Sequence, residues 1–330
     1  MFVLANEKKC DIIEAICRNK GDVFMRTEQY ELEGFGGVGL PAVLWLPDDA
    51  PKCILQITHG MTEHMGRYAR FGEELCRRGI AVAGFDLRGH GKNAGDPMVA
   101  SFGTGGWQAS IEDMRLFHDD LQQKMPGLPH YMLGFSLGSF LLREYLSKYP
   151  DGVAGSIIAG TGHQPGWLLR IMMGVVSGQI KKAGFDNTTD QVRQLSFGTY
   201  NQKFKPNRTT ADWLCADEAE LDQYLADALV RKDISAGLFR ELLGSMKRTG
   251  TAKAYAKWNK ELPIMLLYGG DDPVGDAGKG VERIYTQMKK AGLHKVELWG
   301  IPDARHDIFH EEASGTAELV RHEICEWLEK

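Results

Sequence analysis

The sequence has no run in which lysine and arginine gather, and its 330 residues carry a formal net charge of -5. Proteins that bind nucleic acid through its phosphates concentrate positive charge on one face or along one helix. The absence of such a run argues against nucleic acid as a partner.

Cysteine is sparse, and its six copies are scattered along the chain. Zinc sites need paired cysteines at short spacing, and disulfide frameworks need a higher cysteine density. The pattern therefore indicates reduced thiols, which are Cys10, Cys17, Cys53, Cys76, Cys215 and Cys325.

Long apolar runs are missing as well. The amino terminus reaches its first charge after six residues and never forms the apolar centre of a signal peptide. The longest uncharged run near the middle of the chain, residues 152–169, contains five glycines and Pro165, which interrupt a membrane-spanning helix. These features predict a soluble, cytoplasmic protein.

What is present is an ordinary globular composition, with 43% hydrophobic and 25% charged residues. Short runs rich in valine, isoleucine and leucine alternate with helical patterns in two blocks, which predicts an α/β fold with a mostly parallel central sheet flanked by helices. The predicted strands are Thr27–Leu32, Val43–Leu46, Ile54–Thr58, Ala81–Phe85, Tyr131–Leu133, Ser156–Ala159, Met265–Leu267 and Val296–Trp299. The predicted helices are Tyr68–Arg78, Gly106–Lys124, Leu137–Lys148, Gly278–Ala291 and Thr316–Leu328.

The two blocks are separated by a segment that is helical in pattern, rich in polar residues and without a convincing buried strand. We interpret this segment as an inserted helical cap. The predicted domains are an α/β core of residues 1–160 and 260–330, and a cap, or lid, of residues 161–259.

The strongest local motif is the G-x-S-x-G formed by Gly134, Ser136 and Gly138, with a predicted strand before it and a helix beginning at Leu137. The pentapeptide alone arises by chance in glycine-rich proteins, but the strand, turn and helix around it predict a nucleophile elbow. Such a turn leaves no room for side chains at the two glycines and projects the serine hydroxyl above the sheet. Ser136 is therefore the candidate nucleophile.

A serine hydroxyl needs a histidine base, and in this fold class the active groups lie at the carboxyl ends of strands. His306 follows the last predicted strand, whereas His294 precedes it and lies at the wrong end. His118, His310 and His322 lie on or near helices, where solvated faces would explain them. His306 is the candidate base.

The acid is expected after an earlier strand, and Asp271 and Asp272 directly follow one. Pro273 biases Asp272 toward an extended backbone that suits a carboxylate pointing across the strand ends, while Asp271 is better placed to hydrogen-bond the turn. We favour Asp272 and keep Asp271 and Asp276 as alternatives. The chain order of nucleophile, acid and base is then the order of α/β-hydrolases.

Acyl transfer also needs amides that donate to the developing oxyanion, and the candidates are Leu137 after the nucleophile and Met61 after an early strand. His59, Glu63 and His64 beside Met61 invite a metal interpretation, but their spacing does not match the helical zinc motifs. We interpret His59 as a buried imidazole that braces this loop, and the other two as a solvated or loop-bracing pair. No metal and no cofactor is expected.

Five segments, in their order and spacing, resemble the monoacylglycerol lipase and lysophospholipase group of α/β-hydrolases, among the serine aminopeptidase-type hydrolases. The segments are HGMTEHMGRY, GFDLRGHGKN, GFSLGS, GGDDPVG and ARHDIFHE. The resemblance covers nearly the whole chain outside the predicted cap, and it implies the α/β-hydrolase fold and an acyl hydrolase. The residues that it implies for the triad and for the oxyanion hole are Ser136, Asp272, His306, Met61 and Leu137.

The substrate is to be inferred from the predicted cap, in which the stretch GWLLRIMMGVVSGQI offers a broad apolar surface. Candidate substrate contacts are His163, Trp167, Ile171 and Met172, although the helix could equally serve only to pack the cap on the core. An apolar surface favours a lipid-like acyl ester and would permit transient contact with a membrane surface. The alternatives are a catalytically silent ligand-binding protein of the same fold, and a thioesterase or peptidase with the same triad.

Overall fold

A computed structural model describes residues 2–3, 25–95 and 98–330. The remainder of the amino-terminal stretch considered above, with Cys10 and Cys17, lies outside the described residues. No helix within the described part of the chain is long and apolar enough to cross a bilayer.

A nine-stranded sheet forms the centre of the protein. The strands in chain order are β1 (Phe2–Val3), β2 (Arg26–Glu33), β3 (Gly39–Leu46), β4 (Cys53–Thr58), β5 (Ile80–Phe85), β6 (Val99–Ala100), β7 (His130–Phe135), β8 (Gly155–Ala159), β9 (Asp233–Ile234), β10 (Ile264–Gly269) and β11 (Val296–Ile301). The order across the sheet is β1-β11-β10-β8-β7-β4-β5-β3-β2, and β6 and β9 pair separately. β3 runs antiparallel to β2 and β5, and the other pairs in the sheet are parallel.

The central strands are buried along their whole length. Every residue of β4, β5, β8 and β10 is buried, as expected for strands covered by helices on both faces. Parallel register then aligns the strand ends, since Thr58 of β4 pairs with Gly134 of β7, and Gly269 of β10 pairs with Ile301 of β11. Loops that follow these strands therefore meet at one edge of the sheet.

Helices cover both faces of the sheet. They are α1 (Ala69–Arg77), α2 (Gly106–Lys124), α3 (Leu137–Lys148), α4 (Gly166–Ala183), α5 (Asp190–Ser196), α6 (Glu218–Ala226), α7 (Ala236–Thr249), α8 (Ala252–Tyr255), α9 (Lys279–Lys290) and α10 (Thr316–Leu328). α1 and α10 belong to the hydrophobic cluster on one face, and α2, α3 and α9 to the cluster on the other. In α1, Phe71 and Leu75 lie one turn apart and are both buried, and the helix ends just before Gly79, whose φ is 78°.

Residues 161–259, called the inserted segment below, contain α4 to α8 and only β9 as a strand among the elements described. α7 packs against both α4 and α3. Its apolar face, with Leu238, Phe239 and Leu242, is buried in the same cluster as α3, and this packing joins the inserted segment to one helical layer of the sheet.

The elements predicted from the sequence are present, with most ends shifted by a residue or two. The start predicted for β3 was wrong, because the strand begins at Gly39 rather than Val43 and passes through Pro41. A proline lacks the amide that donates a hydrogen bond within a sheet. Pro41 nevertheless lies within β3, opposite Glu31 of the edge strand β2. The short pair β6–β9 was not predicted, since two residues leave no periodicity to detect.

Candidate active site

The turn between β7 and α3 holds Ser136 in a strained backbone conformation, with φ 49° and ψ -116°. Gly134 and Gly138 must be glycines because a side chain at either position would have no room. A Cβ on Gly134 would lie 2.5 Å from the carbonyl oxygen of Gly138, and one on Gly138 would overlap the carbonyl oxygen of Thr58. The turn therefore has the tight elbow geometry expected from the sequence.

Ser136 and His306 meet at the edge of the sheet although they lie 170 positions apart in the chain, and the Oγ to Nε2 distance is 2.9 Å. On the other side of the imidazole, Nδ1 lies 2.9 Å from Oδ2 of Asp272. Both side chains are almost fully buried at this second contact. Such contacts in unliganded enzymes commonly tighten when substrate binds.

Asp272, and neither of its two alternatives, is the carboxylate beside His306. Asp272 is fully buried and its Oδ1 accepts a hydrogen bond from the Val274 amide at 2.8 Å. Asp271, expected to hydrogen-bond the turn, instead forms an ion pair with Lys203 of the inserted segment. Asp276 is exposed and has a φ of 53°.

The charge around His306 favours its protonated form. Burial alone would lower the pKa of this imidazole, but the carboxylates of Asp272, Asp307 and Glu63 outweigh burial and raise the pKa above its usual value. The site is thus built to stabilise an imidazolium ion, which is the species that forms when a histidine accepts a proton from serine.

Two amides are available beside Ser136. Leu137 is the first residue of α3, so its amide has no acceptor within the helix. In the loop after β4, the Gly60 amide donates to Oε1 of Glu63 at 2.6 Å, whereas the Met61 amide donates to no backbone carbonyl of the described residues. Because Gly138 packs directly on Thr58 and His59, this loop lies against the elbow.

His59 is a buried brace of that loop. Burial lowers its pKa, so the imidazole is neutral. Its Nε2 accepts from the Leu87 amide at 3.0 Å, and Nδ1 therefore carries the proton and donates to the Gly60 carbonyl at 2.8 Å. The ring fixes the loop after β4 to the loop after β5.

Glu63 is not solvated but braces its own loop, which was the other role expected of it, and it belongs to a buried ionic network. The guanidinium of Arg67 bonds the carboxylate of Glu63 and, at 2.8 Å, that of Asp307, the residue after His306. His310 donates from Nδ1 to Asp307 at 2.7 Å. Although burial alone would raise it, His310 and Arg67 lower the pKa of Asp307. The network links the Met61 loop to the His306 loop, and its carboxylates are already paired with a cation.

Two expectations about histidines were wrong. His310 is buried in this ionic network, and His118 is buried against the Gly152 carbonyl, which lies 3.0 Å from its Nε2. Neither is a solvated helical histidine. His118 does lie on α2 and His310 lies in a turn before α10, but the burial of both depends on partners from distant parts of the chain.

The proposed substrate contacts are spread over two environments. Trp167 and Ile171 are 63% and 57% exposed, one turn apart on α4. Met172 is partly buried and packs against the main hydrophobic cluster. His163 lies against Gly250 at the end of α7, where a Cβ would come within 3.1 Å of its Nδ1. No hydrogen bond or ring contact joins any of them to Ser136 or His306 within the described residues.

Trp213, a residue of the inserted segment, contacts His306 and was not predicted from the sequence. The centroids of the two rings are 5.2 Å apart. Tyr200 packs edge-on against Trp213 at 4.8 Å. The one available signal was a tryptophan between the aspartates of TTADWLCAD, where a solvated loop would not keep one.

Comparison with known proteins identifies the relatives of the chain. The family model described as serine aminopeptidase, S33, matches residues 49–313. A monoacylglycerol lipase from Mycolicibacterium smegmatis is 23% identical over 317 residues, which cover 91% of this chain and 96% of that one. The monoglyceride lipase of Homo sapiens is 26% identical over 288 residues, with 86% and 84% covered.

Solved structures agree on the fold. The highly thermostable carboxyl esterase from Bacillus coagulans superimposes with a TM-score of 0.81 at 23% identity, over 93% of this chain and 99% of that chain. A soluble variant of monoglyceride lipase from Saccharomyces cerevisiae gives a TM-score of 0.73 at 18% identity, with 94% and 97% covered. The predicted α/β-hydrolase fold is confirmed, and since the family model matches most of the sequence, the chain belongs to the serine aminopeptidase S33 family.

Proposed function

We propose that the protein hydrolyses carboxylic esters through an acyl-serine intermediate on Ser136, with His306 as the base and Asp272 as the acid that orients it. One observation carries the proposal: Ser136 Oγ lies 2.9 Å from His306 Nε2, while Nδ1 of the same ring lies 2.9 Å from Asp272. Nucleophilic acyl transfer requires a hydroxyl, an imidazole and a buried carboxylate that contact one another in this order.

In the first step, Ser136 Oγ forms a bond to the ester carbonyl carbon while its proton moves to Nε2 of His306. The carbonyl electron pair moves onto oxygen, where the amides of Met61 and Leu137 donate hydrogen bonds to the new negative charge. When the carbonyl reforms, the bond to the alcohol breaks and the alcohol oxygen takes the proton from Nε2. A water molecule then repeats the sequence on the acyl-serine and releases the carboxylic acid.

The proposed substrate is a lipid-like acyl ester of the monoacylglycerol or lysophospholipid kind. A monoacylglycerol lipase and a monoglyceride lipase are among the relatives that share most of their length with this chain. We propose that the inserted segment acts as a cap over the site and that His163, Trp167, Ile171 and Met172 contact the acyl chain or guide it.

The exposed pair Trp167 and Ile171 supports transient contact of α4 with a lipid surface. Both side chains project from the same side of the helix, and Arg170 beside them and Lys181 and Lys182 in its last turn are exposed. An apolar stripe next to cations suits the interface of an anionic membrane. This contact would bring the site to a substrate that is dissolved in lipid.

A cytoplasmic location is part of the proposal. The described cysteines, Cys53, Cys76, Cys215 and Cys325, are buried free thiols, in keeping with a reducing compartment.

The test is hydrolysis of p-nitrophenyl esters and monoacylglycerols of increasing chain length by the wild type, Ser136→Ala and Ser177→Ala. The last variant removes a helical serine hydroxyl of α4 and is the matched control. We expect activity in the wild type and the control and a loss of at least about 10⁴-fold in Ser136→Ala.

A fluorophosphonate probe should label the wild type and not Ser136→Ala. A wild type that binds esters without turnover and resists the probe would overturn the proposal in favour of a silent ligand-binding protein. Faster turnover of a matched thioester or anilide than of the ester would show that the protein is a thioesterase or an amide hydrolase instead.

A further inference from the structure

A short stretch of the inserted segment is hydrogen-bonded along the loop that carries His306. The Asp307 amide donates to the Leu214 carbonyl at 2.6 Å, and the His306 amide lies 3.4 Å from the Trp213 carbonyl. The Arg305 guanidinium donates to the carbonyls of Asp212 and Cys215, the latter at 3.0 Å. The backbone of the base is therefore held from the side of the inserted segment.

The side chain of Trp213 continues this contact onto the imidazole. The indole and imidazole planes are tilted by 36° with centroids 5.2 Å apart, and Phe135 lies 5.0 Å from the same imidazole with a tilt of 33°. Trp213 itself is only 7% exposed. Phe197 stacks on it at 5.7 Å and 22°. The indole is thus rigidly placed and desolvated.

An indole ring face attracts a cation through its quadrupole, and tryptophan does so more strongly than phenylalanine or tyrosine. The attraction grows when both partners are removed from water. His306 is neutral before the reaction and positive when it has taken the proton of Ser136. A ring in this position therefore interacts more strongly with the transition state than with the resting enzyme.

We propose that Trp213, contributed by the inserted segment, is a positioning residue for acyl transfer that fixes the plane of the His306 ring and stabilises its protonated form. The inference rests on the proposed function and adds to it that the inserted segment takes part in the chemistry as well as in substrate contact. Trp213 transfers no proton and makes no bond to substrate in this role.

Other charged and titratable groups act on the same imidazole and must be kept constant. Asp272 of the loop after β10, Asp307 beside the base and Glu63 of the loop after β4 all favour the imidazolium. Tyr200, from the inserted segment, is partly buried near Asp272, and burial raises the pKa of its hydroxyl above its usual value. None of these groups is changed by a substitution at position 213.

The experiment is titration of the His306 ring by NMR on full-length protein labelled with ¹⁵N-histidine, with the signal assigned by its loss in His306→Gln. We compare the wild type with Trp213→Phe, which keeps an aromatic face, and Trp213→Leu, which does not. We expect the pKa of His306 to fall by about one unit in Trp213→Leu and by less than about half that in Trp213→Phe.

Fluorinated tryptophan gives a second readout that does not depend on whether Trp213→Leu folds. Fluorine withdraws charge from the ring face with little change in shape, so uniform incorporation should lower the pKa of His306 in the wild type and leave it unchanged in Trp213→Phe. All seven tryptophans carry the label in the wild type. Labelled Trp213→Phe contains only the other six and therefore reports their contribution to the change in pKa.

Kinetics provide the functional readout. In Trp213→Leu we expect the plateau of kcat/KM to fall about tenfold by the same factor for short and long esters, and its acidic limb to move to lower pH. An unchanged or raised pKa in Trp213→Leu, or a loss that grows with acyl length, would overturn the inference. A wild type without any ester turnover would instead overturn the proposed function, and the NMR titration separates the two cases because it needs no substrate.

Discussion

Gly138 at the carboxyl edge of the sheet and Gly174 in α4 of the inserted segment have opposite surroundings. A Cβ on Gly138 would overlap the Thr58 carbonyl, whereas one on Gly174 would meet nothing within 4 Å. The same contrast applies to functional side chains, since Asp272 is fully buried while Trp167 is 63% exposed. The edge of the sheet is determined by close packing, and α4 leaves most of its outer side free for contacts with other molecules.

The largest expected effect is at the buried carboxylate of the edge. Asp272→Ala should lower kcat/KM for a p-nitrophenyl ester by about 10⁴-fold, because the imidazole loses its orientation and the partner of its positive charge. Asp271→Ala is the matched control, since Asp271 pairs with Lys203 instead, and it should cost less than about threefold. Similar losses in both variants would contradict the assignment of the acid.

The second prediction concerns the two glycines. Gly138→Ala should lower the free energy of unfolding by about 3 kcal/mol or more, since backbone must move to admit the methyl group. Gly174→Ala should raise it by about 0.5–1 kcal/mol, because alanine favours the helix and has room. Urea denaturation with tryptophan fluorescence measures both. Equal stability of the two variants would contradict the difference in packing between Gly138 and Gly174.

The third prediction concerns the pH dependence of kcat/KM, which should be set by groups at the carboxyl edge of the sheet and not by α4. His306 accepts a proton only when neutral, and its pKa is raised, so kcat/KM should fall below a midpoint that lies above the ordinary value of 6.5. Below the midpoint the loss should be about tenfold per pH unit. Asp272→Asn removes the carboxylate charge and should move the midpoint to lower pH.

A matched substitution in α4, Ile171→Ser, should leave the midpoint unchanged in the same pH–rate profiles. A midpoint that stays in place in Asp272→Asn would show that Asp272 does not set the charge at the base.

The smallest effect is expected on the outer side of α4. The double variant Trp167→Ser and Ile171→Ser should change the free energy of unfolding by less than about 0.5 kcal/mol, since both side chains are exposed. Hydrolysis of a short, water-soluble ester should be unchanged. Hydrolysis of monoacylglycerol held in anionic vesicles should fall by about three- to tenfold. Equal losses on both substrates would assign the pair to the acyl site instead of a lipid surface.

The same contrast explains what the sequence could predict. Ser136 could be predicted from the sequence because a glycine-rich turn between a buried strand and a helix has a local signature. His306 could be predicted from its place after the last predicted strand. Asp272 could be predicted from its place after an earlier strand and from the proline that follows it. Each of these positions depends on a strand end, which periodicity reveals directly.

What remained hidden depends on contacts between distant segments. Trp213 meets His306 only after the inserted segment has folded onto the edge, and no local pattern encodes that approach. Likewise, the burial of Glu63 and His310 follows from Arg67 and Asp307 coming together across two loops. A polar residue whose partners are far away in sequence looks the same as a solvated one until the fold is known.

β8 lies between the strand that leads to Ser136 and the strand that leads to Asp272, and the residue that follows it is Gly160. A Cβ there would come within 3.0 Å of the His306 ring. The groups of the site therefore come from strands on both sides of an inner strand, with β10 and β11 on one side and β7 and β4 on the other. Activity becomes a sensor of folding cooperativity, since a form with either flank unravelled retains no complete site, and inactivation by denaturant should coincide with global unfolding.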